Sequence, residues 1–302
     1  MARYLDPKYD LPFKKVFGEH KHLLISFLNA LLPLPEGQEI VAIEYLSPEQ
    51  VPRNSRAKHS IVDVKCVDSH RRHFIVEMQL EWNTLFARRL VFNASKTYVS
   101  QMDKEKETDP TLPLVEAQTV YTLAIVNATL PRHPKAEEET KWYHHYRISE
   151  KSNPEQVLEG LEFVLVELPK FERETWSQMD KRMAVLWLRF LKEIARYETP
   201  PEELLEAEEI KQAIAICEEG AYTKAELDIY DRNIDQARWD ASYAVMERKL
   251  AESATALAEK DAALVENAAA LAETTAALAE KDAALARALA ELAALKGNGS
   301  QL

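Results

Sequence analysis

Leucine recurs at positions 250, 257, 264, 271, 278, 285 and 292, a strict interval of seven. An α-helix turns every 3.6 residues, so a seven-residue repeat holds one side chain on a single stripe and favours a left-handed supercoil. Alanine, the strongest helix former, supplies 20 of the 46 residues from 251 to 296. The string ALAEKDAAL occurs at 256–264 and again at 277–285, three heptads apart. Such a stretch builds a rod and not a globular core, and Gly297 ends it. With leucine at core position d, the companion positions are Ala254, Asp261, Ala268, Thr275, Asp282 and Leu289. Two aspartates in that seam weaken a parallel dimer, which leaves two readings. Either residues 250–292 join copies of the chain in a coiled coil, or the segment is a solvated single helix.

Ahead of the rod the patterning is that of an α/β protein. Residues 12–32 place Phe13, Val16, Phe17, Leu23, Leu24, Phe27, Leu28 and Leu31 at helical spacing, with Gly18 expected to divide two helices and Pro33 to stop the second. Residues 39–46, 59–68 and 72–80 read as strands, and the polar turn 68–71 makes an antiparallel hairpin of the last two. A helix is expected over 81–106, strands over 118–127 and 163–168, and helices from Trp176 onward.

Composition narrows the function classes. The chain has six glycines, and its only G-x-G is Gly297–Gly299, so the glycine-rich loops that cradle nucleotide phosphates are missing and no nucleotide cofactor is expected. Cys66 and Cys217 are isolated thiols, and residues 1–13 carry Arg3, Asp6, Lys8 and Asp10 in place of an apolar leader. A cytoplasmic protein without a membrane span is expected. The net charge of −12 argues against nucleic acid only as an average. Residues 201–302 hold 10 basic and 21 acidic side chains, while residues 51–100 hold 9 basic and 4 acidic.

The chemistry-bearing residues fall in that basic block. Asp63 lies in SIVDVKC, and Glu77 and Gln79 lie in FIVEMQ. Residues i and i+2 of a strand share a face, so Glu77 and Gln79 point together, and the hairpin brings Asp63 alongside. Two carboxylates on one sheet face repel each other and are costly to desolvate; a divalent cation with oxygen ligands, Mg²⁺ or another, relieves both. The alternative is a set of edge-strand polar residues facing solvent.

The ordered segments SIVDVKC, HFIVEMQ and YDLPFKKVFGEHKHLLISFLNALL, followed by RRLVFNASKTYVSQM and FVLVELPKF, resemble the PD-(D/E)XK nuclease family transposases, the recombination-promoting nucleases. The resemblance covers roughly residues 1–240. It implies a restriction-endonuclease-like core, a mixed central sheet flanked by helices, over residues 1–135. A mostly helical extension with one strand near 163–168 would occupy 136–245, the heptad helix 246–296, and a frayed tail 297–302. It also implies Mg²⁺-dependent hydrolysis of DNA linked to recombination or transposition, with Asp63 and Glu77 as the metal-binding acids. Gln79 stands where the broader superfamily has a lysine; a glutamine can orient water but carries no charge. Lys65 shares the face of Asp63 and is a candidate for that charge, or else a solvent-facing strand lysine. The rival function is a non-catalytic DNA-binding or assembly protein, oligomerised by its tail.

Further candidates are weaker in pattern. Arg53, Arg56, Lys58, Arg71, Arg72, Arg88, Arg89 and Lys96, with Lys14 and Lys15, are candidates for phosphate contact or a solvated charged face. Asp10 and Glu19 offer either a further metal contact or helix-surface charge. Cys66, His70 and His73 lack a fourth zinc ligand. His144 and His145, among Trp142, Tyr143 and Tyr146, suit either base stacking or packing beneath the domain.

Overall fold

The computed structural model describes residues 3–47, 49–50, 60–61, 63–108, 117–130, 140–172 and 182–298. The chain divides into two units, Met1–Ala241 and Ser242–Leu302.

The N-terminal apolar spacing becomes α1 (Asp10–Phe17) and α2 (Lys21–Leu31), which bury every side chain of the expected stripe. Gly18 separates them because the chain passes too close to its own preceding turn. A Cβ at this position would sit 2.6 Å from the Lys14 carbonyl oxygen, which accepts the Gly18 N–H at 2.7 Å. Leu32 is already extended, as a residue before proline prefers.

Six strands form one mixed sheet: β1 (Ile43–Tyr45), β4 (Val64–Asp68), β5 (His73–Gln79), β6 (Val120–Val126), β7 (Tyr143–Ser149) and β8 (Val157–Glu167). Their order is β1-β4-β5-β6-β8-β7, and β2 (Glu49–Gln50) pairs separately with β3 (Ser60–Ile61). Strands β4 and β5 form the expected hairpin, with Val64 opposite Val76 and Val67 opposite His73. Strands β5, β6 and β8 are mutually parallel, which demands crossover connections; α3 (Thr84–Thr108) lies in the first.

Each face of the sheet is covered. On one, Val64, Cys66, Phe74, Val76, Leu123, Ile125, Val164 and Val166 join a core with α1, α2, α4 (Arg182–Glu193), α5 (Glu202–Leu205) and α6 (Glu208–Cys217). Trp187 stands at its centre, 5.3 Å from the Phe17 ring and 5.6 Å from Phe27, and its indole N–H donates to Ser26 Oγ at 3.1 Å. On the other face, α3 lays Phe86, Leu90 and Ala94 over Ile75, Val120, Ala124, Val126 and Leu165. Strand β6, covered on both sides, is buried at all seven positions, which is why it reads as an unbroken apolar run. The fold is therefore the mixed sheet with flanking helices expected of a restriction-endonuclease-like protein.

The boundaries differ in three instructive places. The strand expected over 39–46 pairs only at Ile43–Tyr45, because the Asn29 side chain claims the N–H and carbonyl of Ile40, both at 2.8 Å. The strand expected over 59–68 is broken, and Asp63 occupies a bend just before β4 instead of a mid-strand position. Among its described residues, the 136–245 region holds two strands and not one. Strand β7 escapes the sequence pattern because an edge strand with most side chains exposed carries no apolar alternation.

The long helix α7 (Lys224–Asn298) spans 75 residues, starting well before the heptads. Its leucines 250, 257, 264, 271, 278 and 285 are 61–71% exposed. Among the described residues, no helix is long and apolar enough to cross a membrane.

Candidate active site

At the end of the β4–β5 hairpin away from its turn, two acids meet on the α3-covered face. The Glu77 side chain points inward from β5 and is buried. Asp63, at the bend entering β4, turns its carboxylate toward β5, where Oδ2 accepts the Met78 N–H at 2.7 Å. Gln79 follows Glu77 on the same face, as period two requires.

Helices dress this pair from two directions. From α3, Asn93 Nδ2 donates to Glu77 Oε1 at 3.1 Å, Arg89 Nη2 donates to Gln79 Oε1 at 2.9 Å, and the same Nη2 lies 3.8 Å from Glu77 Oε2. From α1, Lys14 forms an ion pair with Asp10 one turn earlier, at 2.6 Å. A cleft of about 250 Å³ opens here, lined by Lys8, Tyr9, Asp10, Asp63, Gln79 and Glu81, with Asn233 and Gln236 of α7 on its wall.

The electrostatics follow from burial. Desolvation pushes Glu77 up to about 8, helped by the charge of Asp63, while Arg89, Asn93 and Lys14 pull the other way. Asp63 is raised to about 6, again chiefly by desolvation, against the Met78 N–H and the charges of Lys14 and Arg89. Two hard carboxylates driven toward protonation suit a divalent cation, since Mg²⁺ typically takes one or two carboxylates and completes its shell with water. They form a pair and not a triad: among the described residues, no group of three or more His, Cys, Asp or Glu side chains is arranged to hold a metal.

The remaining candidates separate cleanly. Asp10 lines the cleft and its charge raises Asp63, whereas the charge of Glu19 acts on Tyr45 and Tyr222, away from the pair. Lys65 faces Ile75 across the hairpin; the cations acting on both carboxylates are Lys14 and Arg89. Arg71 and Arg72 sit at the turn, at the other end of β5, roughly 20 Å away at about 3.3 Å per residue. Arg72 is not a surface cation: its Nε donates to the buried Asp68 Oδ2 at 2.7 Å and its Nη2 to the Gln38 carbonyl at 2.8 Å. Arg71 is exposed and takes the left-handed conformation, φ 63°, that closes the turn. Arg88 is exposed on α3, and Arg53, Arg56 and Lys58 lie outside the described residues.

Cys66 faces the opposite core, where burial pushes its thiol up to about 12, so it cannot join His70 and His73 at a zinc ion. His144 and His145 lie on strand β7 and are paired with acids: His144 with the buried Glu167 and His145 with Glu162, both at 2.7 Å. Lys170 Nζ and the Leu130 N–H complete the coordination of Glu167, which ties β7 and two connections to the end of β8. Asn93 is the site residue that sequence reasoning missed. Its signal was a polar stripe, Asn93, Thr97 and Gln101, four residues apart on a helix that buries Leu90 and Ala94, and all three are buried.

A mixed sheet carrying paired acids at the open end of an antiparallel hairpin, with helices on both faces, defines a nuclease-type α/β fold. The chain belongs to the PD-(D/E)XK nuclease family transposases, whose family model matches residues 7–248. No curated protein and no solved structure matches it. The match runs from ahead of α1 through the whole sheet into α7, and so includes both acids.

The raised Glu77 makes a pH-dependent prediction. Its folded pKa exceeds the ordinary value, so the buried carboxyl costs little near pH 4.5 and increasingly more as pH rises toward 8, where the unfolded chain ionises freely. In urea unfolding with EDTA present, Glu77→Gln is expected to be more stable than wild type at pH 8, with the advantage shrinking toward pH 5.

Proposed function

We propose that the chain is a divalent-cation-dependent DNA endonuclease acting in recombination or transposition. The observation that carries this reading is the Asp63–Glu77 pair, two carboxylates held together beside a cleft at an energetic cost that a structural role does not require. Asp63 and Glu77 would hold Mg²⁺ or another divalent cation through their carboxylate oxygens. A cation bound there supplies positive charge to the phosphodiester and lowers the pKa of a coordinated water.

The protein's own groups account for the rest. Asn93 fixes one oxygen of Glu77 and the Met78 N–H fixes one oxygen of Asp63, so neither carboxylate rotates freely. Gln79, at the cleft, has amide N–H groups that can orient water. Lys14 adds positive charge to both carboxylates, and Lys65, two residues from Asp63, is proposed to add to it when DNA is bound. In the overall reaction, a water oxygen bonds to phosphorus, the bond to the leaving sugar oxygen breaks, and that oxygen takes up a proton. Exposed Arg88, together with Arg56, Lys58 and Arg71, is proposed to contact phosphates along the strand.

The exposed leucine stripe of α7 favours a second element of this reading, a homo-oligomer formed through residues 250–292. A second copy is the occupant that matches a self-complementary heptad stripe.

Two outcomes check these proposals. In plasmid cleavage with Mg²⁺, Asp63→Ala is expected to lose activity by at least about 10²-fold while its circular dichroism stays that of wild type; undiminished nicking would exclude the mechanism. In light scattering, deletion of residues 250–302 is expected to reduce the particle to a single chain, and an unchanged number of chains would exclude the coiled coil.

A further inference from the structure

We propose that Arg89 is a catalytic residue of this site, contacting a non-bridging oxygen of the scissile phosphate, and that Gln79 is the positioning residue that holds it there. The inference rests on the nuclease reading above and names the group that supplies the positive charge which Gln79 itself lacks.

The geometry is specific. The guanidinium is gripped at one nitrogen: Nη2 donates to Gln79 Oε1 at 2.9 Å and stands 3.8 Å from Glu77 Oε2. At 3.8 Å the second contact is too long for a hydrogen bond, so Gln79 sets the position and Glu77 contributes attraction. The guanidinium carbon also lies 5.2 Å from the centre of the Phe86 ring, three residues earlier on α3, which supports one side of the group.

Two further facts give this placement a purpose. Arg89 and Asn93 are one helical turn apart, so a single helix brings a guanidinium and an amide to the two oxygens of one carboxylate. The Arg89 side chain is 46% exposed, although it touches a glutamate that is almost fully buried. Among the described residues its polar contacts run through Nη2, which leaves the Nη1 donors for an anion outside. An Nη1–H so placed can donate to one non-bridging oxygen of a phosphate, a charge-assisted hydrogen bond. The other cation acting on the acids, Lys14, is already in a 2.6 Å ion pair with Asp10.

This explains what a glutamine does here. A lysine in its place would carry the charge itself and repel Arg89. A glutamine is neutral and offers a carbonyl oxygen, so it recruits the charge from the neighbouring helix.

The test uses the full-length protein, a supercoiled plasmid with Mg²⁺ under steady-state conditions, and the variants Arg89→Gln, Arg89→Lys, Gln79→Ala and the Gln79→Ala/Arg89→Gln double variant. Removing one preorganised donor to a developing anion typically costs about 10²–10³ in kcat. Arg89→Gln is therefore expected to lose about that factor in kcat with KM little changed, and Arg89→Lys to recover part of it. The double variant should lose less than the product of the two single losses, because Gln79 acts in part through Arg89. Anisotropy with an intact oligonucleotide in EDTA should show nearly wild-type affinity for Arg89→Gln. Arg89→Gln cleavage within about threefold of wild type, multiplicative losses in the double variant, or an affinity loss equal to the loss in kcat/KM would each overturn the proposal. Asp63→Ala separates the two levels: if it is inactive while Arg89→Gln cuts normally, only the Arg89 proposal falls. A wild-type protein that does not cut overturns both.

Discussion

Two carboxyl groups set side by side, one of them sealed from water, are not placed there by a fold seeking stability. Desolvation and mutual repulsion both act against Asp63 and Glu77. Much of the surrounding structure holds them despite that cost. The hairpin register brings the bend at 63 to the level of Glu77, the Met78 N–H turns Asp63 inward, and α3 closes over the pair with Asn93 and Arg89. Local strain of this kind persists only where the neighbouring structure over-determines it, and a double-sided core does so.

That core explains why the site lies where it does. The sheet is buried on both faces, and its central strand β6 has no exposed position. Helix α3 must pack apolar side chains on Ile75, Ala124 and Leu165, and this docking sets Asn93 against Glu77. On the other side, α1 is anchored by Phe13 and Phe17 around Trp187, which leaves Asp10 at the cleft with Lys14 paired to it. The acids are thus framed by two helices that are each held by apolar packing elsewhere. Rigid elements position side chains better than loops do.

The legible parts of the sequence were those governed by short periods. Helices α1 and α2, the hairpin, and the shared face of Glu77 and Gln79 follow from spacing and turn residues within a few positions. The illegible parts depend on residues far apart in the chain. Ile40 leaves the strand because Asn29 satisfies its backbone. Strand β7 has no apolar alternation because it is an exposed edge, joined to β8 by its backbone and by His144 and His145. Adjacent arginines have opposite fates: Arg71 is exposed at a left-handed turn position, and Arg72 is buried against Asp68. Arg89 looked like one more basic residue in a basic block, and only the docking of α3 shows that it reaches the acids.

The central claim is that Asp63 and Glu77 form a cation site, and proton release on binding tests it most directly. Calorimetric titration of Mg²⁺ or Mn²⁺ at pH 7, in two buffers of different ionisation enthalpy, reports both the binding and the protons set free. With Glu77 raised to about 8 and Asp63 to about 6, the wild-type protein should release about one proton per cation bound, mostly from Glu77. Glu77→Gln should bind more weakly and release much less. Absence of binding by the wild type, or the same binding and release in Glu77→Gln, would contradict the account.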